Sequence, residues 1–147
     1  MPQKQRTSYL AKAINQLPKS LKDSIEHDSI SLALDNYELA VIEVTQCYDA
    51  KKKEILPLAV RHLIERADTY VECAPTFDGV RVIGWANGIT VEVDCDGPDD
   101  TSISIYRNCL RWVEISGIVI VDKPLRVIDD IVDHLVDKLK LSPCDLR

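Results

Sequence analysis

Four carboxylates crowd one short loop of this sequence. Asp94, Asp96, Asp99 and Asp100 lie within Asp94-Cys95-Asp96-Gly97-Pro98-Asp99-Asp100. Oxygen-rich loops hold hard cations such as Mg²⁺ or Ca²⁺, and a metal-dependent hydrolase or nuclease would use them. The calcium-loop pattern is not met. Glycine follows the second acid directly, and Ile105 stands where a bidentate Glu is needed. Asp, Gly and Pro are also the residues of a plain solvated turn, which is the preferred reading.

A second acidic set is Asp129, Asp130, Asp133, His134 and Asp137. Asp130 and His134 are four apart, so one helix face can bring them together as ligands. The plainer reading is the wet face of an amphipathic helix, with Arg126, Lys138 and Lys140 offsetting the acids. His62 lies in Arg61-His62-Leu63-Ile64-Glu65-Arg66, where His and Glu could form an acid–base pair. An exposed helix face has the same composition. There is no nucleophile elbow, no P-loop and no dinucleotide fingerprint. No cofactor is implied.

Aromatic residues offer another kind of site. Trp85, Tyr106 and Trp112 fall in β-rich segments. On an open sheet face they would anchor a protein partner; otherwise they are core. Lys4, Arg6, Lys12, Lys19 and Lys22 make residues 1–22 basic, with no acid among them. The net charge of −6 therefore sits on an acidic body. Such a body disfavours nonspecific nucleic-acid binding, so any such contact falls to the basic segment 4–22.

These residues need elements to position them. The length of 147 residues suits a single α+β domain over 1–147, with 1–6 and 142–147 flexible. Thr7 or Ser8 can cap a helix that Pro18 ends. Ser20 and Asp23 open a second, with Leu21, Ile25, Leu32 and Leu34 as a partial apolar face. The segment 37–49, YELAVIEVTQCYD, is β-branched, yet Glu43 spoils any period-two alternation. Tyr37, Ala40, Val41, Val44, Cys47 and Tyr48 share one face at helical spacing, so the pattern predicts a helix. Lys51-Lys52-Lys53-Glu54 is an exposed turn or a break. Leu56, Val60, Leu63 and Ala67 give a further helix to about Tyr70, with Pro57 at its start or kinking it.

From Val80 to Val121 the composition predicts an antiparallel meander of four to five strands. The strands run over 80–85, 89–95, 102–106, 110–115 and 118–121. Asn87-Gly88 reads as a type I′ hairpin turn joining the first two. Asp122 and Pro124 then start an amphipathic helix packed on the sheet. Its apolar face is Leu125, Ile128, Ile131, Val132, Leu135, Val136 and Leu139. Helices on one face of an antiparallel sheet make an α+β fold.

Five cysteines at wide spacings contain no C-x-x-C pair, which speaks for reduced thiols rather than zinc or disulfides. No apolar run approaches the roughly 20 residues of a membrane helix, and the first residues lack the apolar core of a secretory signal. The expected compartment is the cytosol. The expected function is a non-catalytic interaction or regulatory protein of inhibitor, immunity or chaperone type, docking on another protein. Self-association through a sheet edge or the last helix is compatible with this.

Overall fold

A computed structural model of the chain describes residues 30–34 and 38–139. Their architecture is α+β, built on a six-stranded antiparallel sheet in the order β10-β5-β6-β2-β8-β7. The strands are β2 (Leu39–Thr45), β5 (Tyr70–Cys73), β6 (Val80–Trp85), β7 (Val91–Asp96), β8 (Ser102–Arg107) and β10 (Val119–Val121). Two helices, α1 (Leu58–Ala67) and α2 (Asp129–Lys138), cover one face. A two-stranded ribbon of β1 (Ile30–Ala33) and β9 (Trp112–Ile115) packs on the other. A small hairpin of β3 (Tyr48–Asp49) and β4 (Glu54–Ile55) presents the lysine turn at 51–53.

Side-chain alternation divides the core in two. On the helix side Ala40, Ile42 and Val44 join Val80, Val82, Val93, Ile103 and Ile105 against Val60, Ile64, Ile131 and Val132. On the ribbon side Leu39, Val41, Tyr70 and Ile83 meet Leu34, Val113, Ile115 and Leu125. Burying an aliphatic side chain this fully contributes about 1.5–3 kcal/mol. No helix of the described residues is long and apolar enough to cross a membrane.

The helix expected over 37–49 is instead the central strand β2. Its flanks are paired on both sides, Ala40 with Gly84 of β6 and with Arg107 of β8. A strand covered on both faces reads as a continuous apolar run and not as an alternation. Glu43 shares a face with Leu39 and Val41 because it pairs with Arg81 across the sheet. The helix expected to reach Leu34 also gives way, since Ile30–Ala33 form β1. The helical reading of 7–29 lies outside the described residues.

Pro57 starts α1 and does not kink it: it occupies the N-cap with extended ψ of 134°. Asp68 closes the helix in the left-handed region, its N–H bonded to Ile64 O at 3.2 Å. Tyr70 already belongs to β5, a strand absent from the expected meander.

The meander is corrected at three points. Asn87-Gly88 does not join paired strands, for β6 lies between β5 and β2 while β7 forms the edge beside β8. Gly88 lies close against Arg107: a Cβ there would meet Arg107 Cζ at 2.5 Å, so a side chain would have to displace that guanidinium. β9 leaves the sheet to pair with β1. β10 returns to the opposite edge, beside β5.

The last helix begins at Asp129, not near Pro124. Residues 122–128 are not helical, and Val127 forms a parallel bridge with Trp85. Trp85 N–H donates to Arg126 O at 2.8 Å, and Ile128 N–H to Trp85 O at 3.0 Å. These ladder bonds compete successfully with a first helical turn. Gly84 leaves room for the crossing, since a Cβ there would lie 2.6 Å from Arg126 O. Leu125 and Ile128 consequently enter different cores, on the ribbon side and the helix side respectively.

Candidate functional site

The ribbon side of the sheet carries a polar row, one residue from each of five adjacent strands. Glu72 stands opposite Arg81, Arg81 opposite Glu43, Glu43 opposite Ser104, and Ser104 opposite Asp94. The row passes from deep burial under the ribbon at Glu72 to open solvent at Asp94.

Its inner end is a closed electrostatic cluster. Arg81 Nη2 lies 2.9 Å from Glu43 Oε2, and Arg81 Nη1 lies 3.6 Å from Glu72 Oε2. Arg81 also donates to the carbonyl of Glu114 on β9. Glu72 accepts from Ser116 N–H at 2.8 Å and from Tyr70 Oη at 2.9 Å. Burial pushes the Glu72 carboxyl above the usual range, while the Ser116 amide, Arg81 and the Tyr70 hydroxyl pull the other way. Burial, then the Glu72 charge, raises the Tyr70 hydroxyl. This cluster ties the ribbon to the sheet, and its groups are occupied by one another.

Its outer end lies at the corner where β7 and β8 meet the approach to β9. Ser104 Oγ and Tyr106 Oη both donate to Asp94 Oδ1 at 2.6 Å. Arg111 lies with its guanidinium carbon 4.5 Å from the Tyr106 ring centroid. It donates from Nε to Glu92 Oε1 at 2.8 Å and approaches Asp94 Oδ2 at 3.8 Å. Burial, then the hydrogen bond to Asp94, raises the Tyr106 hydroxyl. Next to this clamp the chain exposes large apolar groups. Leu110 is 88% exposed and Trp112 is 72% exposed. Along β9, Val113 and Ile115 point into the core while Trp112 and Glu114 point out. Ile89 is 80% exposed, and the neighbouring Thr90 Oγ1 donates to Asn108 O at 3.0 Å.

The residues singled out from sequence therefore divide. Asp94 and Tyr106 are hydrogen-bonded partners, and Trp112 follows directly on Arg111 beside them. Tyr106 is buried, so its ring is a floor rather than an anchor. Trp85 is half-buried against the ribbon-side core, with Val127 alongside. Asp99 and Asp100 are exposed with left-handed φ of 54° and 62° in the β7–β8 turn. That turn is bonded internally, from Gly97 N–H to Thr101 O and from Thr101 Oγ1 to Pro98 O. Asp96 is exposed at the end of β7. Among the described residues, no group of three or more His, Cys, Asp or Glu is placed to hold a metal ion.

Three of the four acids of α2, Asp129, Asp130 and Asp133, are engaged with cations, while Asp137 is exposed. Asp129 accepts from Asn87 N–H at 2.8 Å, Gly88 N–H at 3.1 Å and Arg107 Nη1 at 3.2 Å. Asp133 lies 2.8 Å from the same Arg107 nitrogen, and Asp130 pairs with Arg126 at 3.4 Å. His134 faces a cleft between the helices that His62 also lines. Lys4, Arg6, Lys12, Lys19 and Lys22 lie outside the described residues.

Arg81, Glu72, Arg107 and Arg111 were not singled out from sequence. The available signal was a charge inside an otherwise apolar strand, as in Val80-Arg81-Val82-Ile83. No family model matches the chain, and no curated protein matches it.

Proposed function

We propose that this chain is a non-catalytic cytosolic interaction protein of regulatory type, docking on a partner protein through the corner around Leu110 and Trp112. The observation that carries this reading is the exposure of Trp112 beside a rigid polar clamp. Exposed aromatics of this size dominate binding energy where they enter a partner's pocket, at about 2–4 kcal/mol each. Arg111, Tyr106 and Asp94 hold the approach to β9, and the Arg81 contact to Glu114 holds its far end. A preordered anchor loses little entropy on docking. Glu92 and Asp94 are paired with Arg111, while Glu114 is exposed on the same face of β9 as Trp112, so the complementary surface is an apolar pocket with a basic group beside it.

The test compares the chain with Trp112→Ala and Leu110→Ala. Both positions are exposed, so melting temperature should be unchanged. In-cell crosslinking should yield a stoichiometric partner with the unaltered chain, joined through residues 110–114. That crosslink should be lost in Trp112→Ala. Equal crosslinking by all three chains refutes the reading. Sedimentation velocity identifies the case in which the partner is a second copy.

A further inference from the structure

The helix side of the molecule contains a second feature, independent of the docking corner. α1 and α2 lie side by side on the sheet and leave a cleft of about 310 Å³ between them. That size falls at the small end of the roughly 300–1,000 Å³ typical of ligand pockets. Its mouth carries two cations, Arg66 from α1 and Lys138 from α2, against one acid, Glu65, with the imidazoles of His62 and His134 beside them. In a chain of net charge −6, with histidine counted neutral, this small excess of cations is a local reversal. The salt bridges among the described residues belong to Arg81, Arg107, Arg111, Lys123 and Arg126. Neither Arg66 nor Lys138 enters one.

The floor is apolar, formed by Leu63, Ile131 and Leu135. It continues toward the sheet into an adjoining space of about 330 Å³ that shares Leu63, Leu135 and Lys138 and reaches Val60, Ile103 and Leu139. Lys138 is the one charged residue lining that inner arm. Among the described residues, then, the cations at the mouth of the cleft enter no salt bridge, and an apolar interior lies behind them.

We propose that the α1–α2 cleft binds a small amphiphilic anion. Its carboxylate or phosphate head would sit at Arg66 and Lys138, and its aliphatic body would lie along Leu63 and Leu135. A charged head on a hydrocarbon body matches both parts of the lining. A bare anion would leave the apolar arm empty, and a neutral hydrocarbon would leave the cations unanswered.

Isothermal titration of the full chain tests this with four probes: octanoate, octyl phosphate, inorganic phosphate and octanol. Octanoate or octyl phosphate should saturate at one equivalent, and the comparison of the two identifies the head group. Octanol and inorganic phosphate should bind at least about tenfold more weakly. Arg66→Gln and Lys138→Gln should each weaken the amphiphile by roughly tenfold, the expected effect of one charge-assisted hydrogen bond. Both side chains are exposed, so thermal melting should not change. Amide shifts on titration should cluster on Ala59, Leu63 and Leu135. The proposal is overturned by absence of saturable binding at millimolar probe, or by octanol or inorganic phosphate binding as tightly as the amphiphile. Full affinity in both variants, or shifts confined to the Trp112 corner, overturns it equally.

Discussion

Replacing Arg81 with methionine removes the cation between two carboxylates while keeping most of the side-chain volume. Glu72 has no exposed side-chain surface and Glu43 little, and the carbonyl of Glu114 loses its donor as well. Deleting one partner of a buried ion pair costs about 3–5 kcal/mol, because the remaining charge stays desolvated. In a domain of this size the melting temperature should fall on the order of 10 °C. The loss should depend on pH. The Glu72 carboxyl is already raised by burial, and without Arg81 it rises further. A carboxyl raised in the folded state is protonated more readily there than in the unfolded chain. Its folded form is therefore favoured in acid, and stability declines as pH rises through the folded value. Arg81→Met should be closest to the unaltered chain at low pH and furthest from it near neutrality. Urea unfolding followed by tryptophan fluorescence, from about pH 4 to pH 8, measures this against the reference pKa of a free carboxyl. Adding Glu72→Gln should recover part of the stability, since an amide needs no counter-charge. A deficit under about 1 kcal/mol at neutral pH, or one that is flat with pH, would refute the electrostatic account of this cluster.

Asp129→Ala removes the acceptor of two backbone amides and leaves Arg107, 2% exposed, with the solvent-facing Asp133 as its remaining carboxylate beside the Ile89 carbonyl. A loss of about 2–3 kcal/mol in thermal unfolding is expected, with faster hydrogen exchange at Asn87 and Gly88. Burial pushes the Cys47 thiol up to about 11 and raises Cys73 as well. Iodoacetamide at about pH 8 should therefore spare both in the folded protein and label both in urea, as read by peptide mass spectrometry.

The elements that were legible in sequence are those with one covered face or a rigid stop. The sequence alternates Ile89, Val91, Val93 and Cys95 against Thr90, Glu92 and Asp94; in β7 Val91 and Val93 do turn toward the helices and Glu92 and Asp94 away, but Ile89 is 80% exposed before the strand begins. The Asp-Gly-Pro turn gave the β7–β8 hairpin, whereas Pro57 was compatible with a start or a kink and stands at the N-cap of α1. What failed depended on neighbours distant in sequence. β2 lies between β6 and β8 with both faces buried, so no period could betray it. Asn87-Gly88 has the composition of a hairpin turn, but its amides are used to cap Asp129, 42 and 41 residues away. Asp122 and Pro124 carry a sound helix-start signal that loses to pairing with the end of β6. Local propensity is worth tenths of a kcal/mol per residue and gives way to such contacts.

The candidate corner was legible residue by residue but not as a group, because strand register assembles it. Arg111 meets Glu92 across 19 positions, and Tyr106 meets Asp94 across 12. The inner end of the same row, however, left a readable trace. Glu43, Glu72 and Arg81 each interrupt an apolar strand, and an unpaired charge buried in a sheet is costly enough to demand an opposite charge beside it. Setting Glu43 against Arg81 in an antiparallel pair brings Val44 to Val80 and Leu39 to Trp85, the register that β2 and β6 adopt. Setting Glu72 against the same Arg81 likewise brings Cys73 to Val80 and Tyr70 to Ile83. The glutamate that hides the strand character of β2 thus identifies its neighbour, because compensating one buried charge is enough to align three strands.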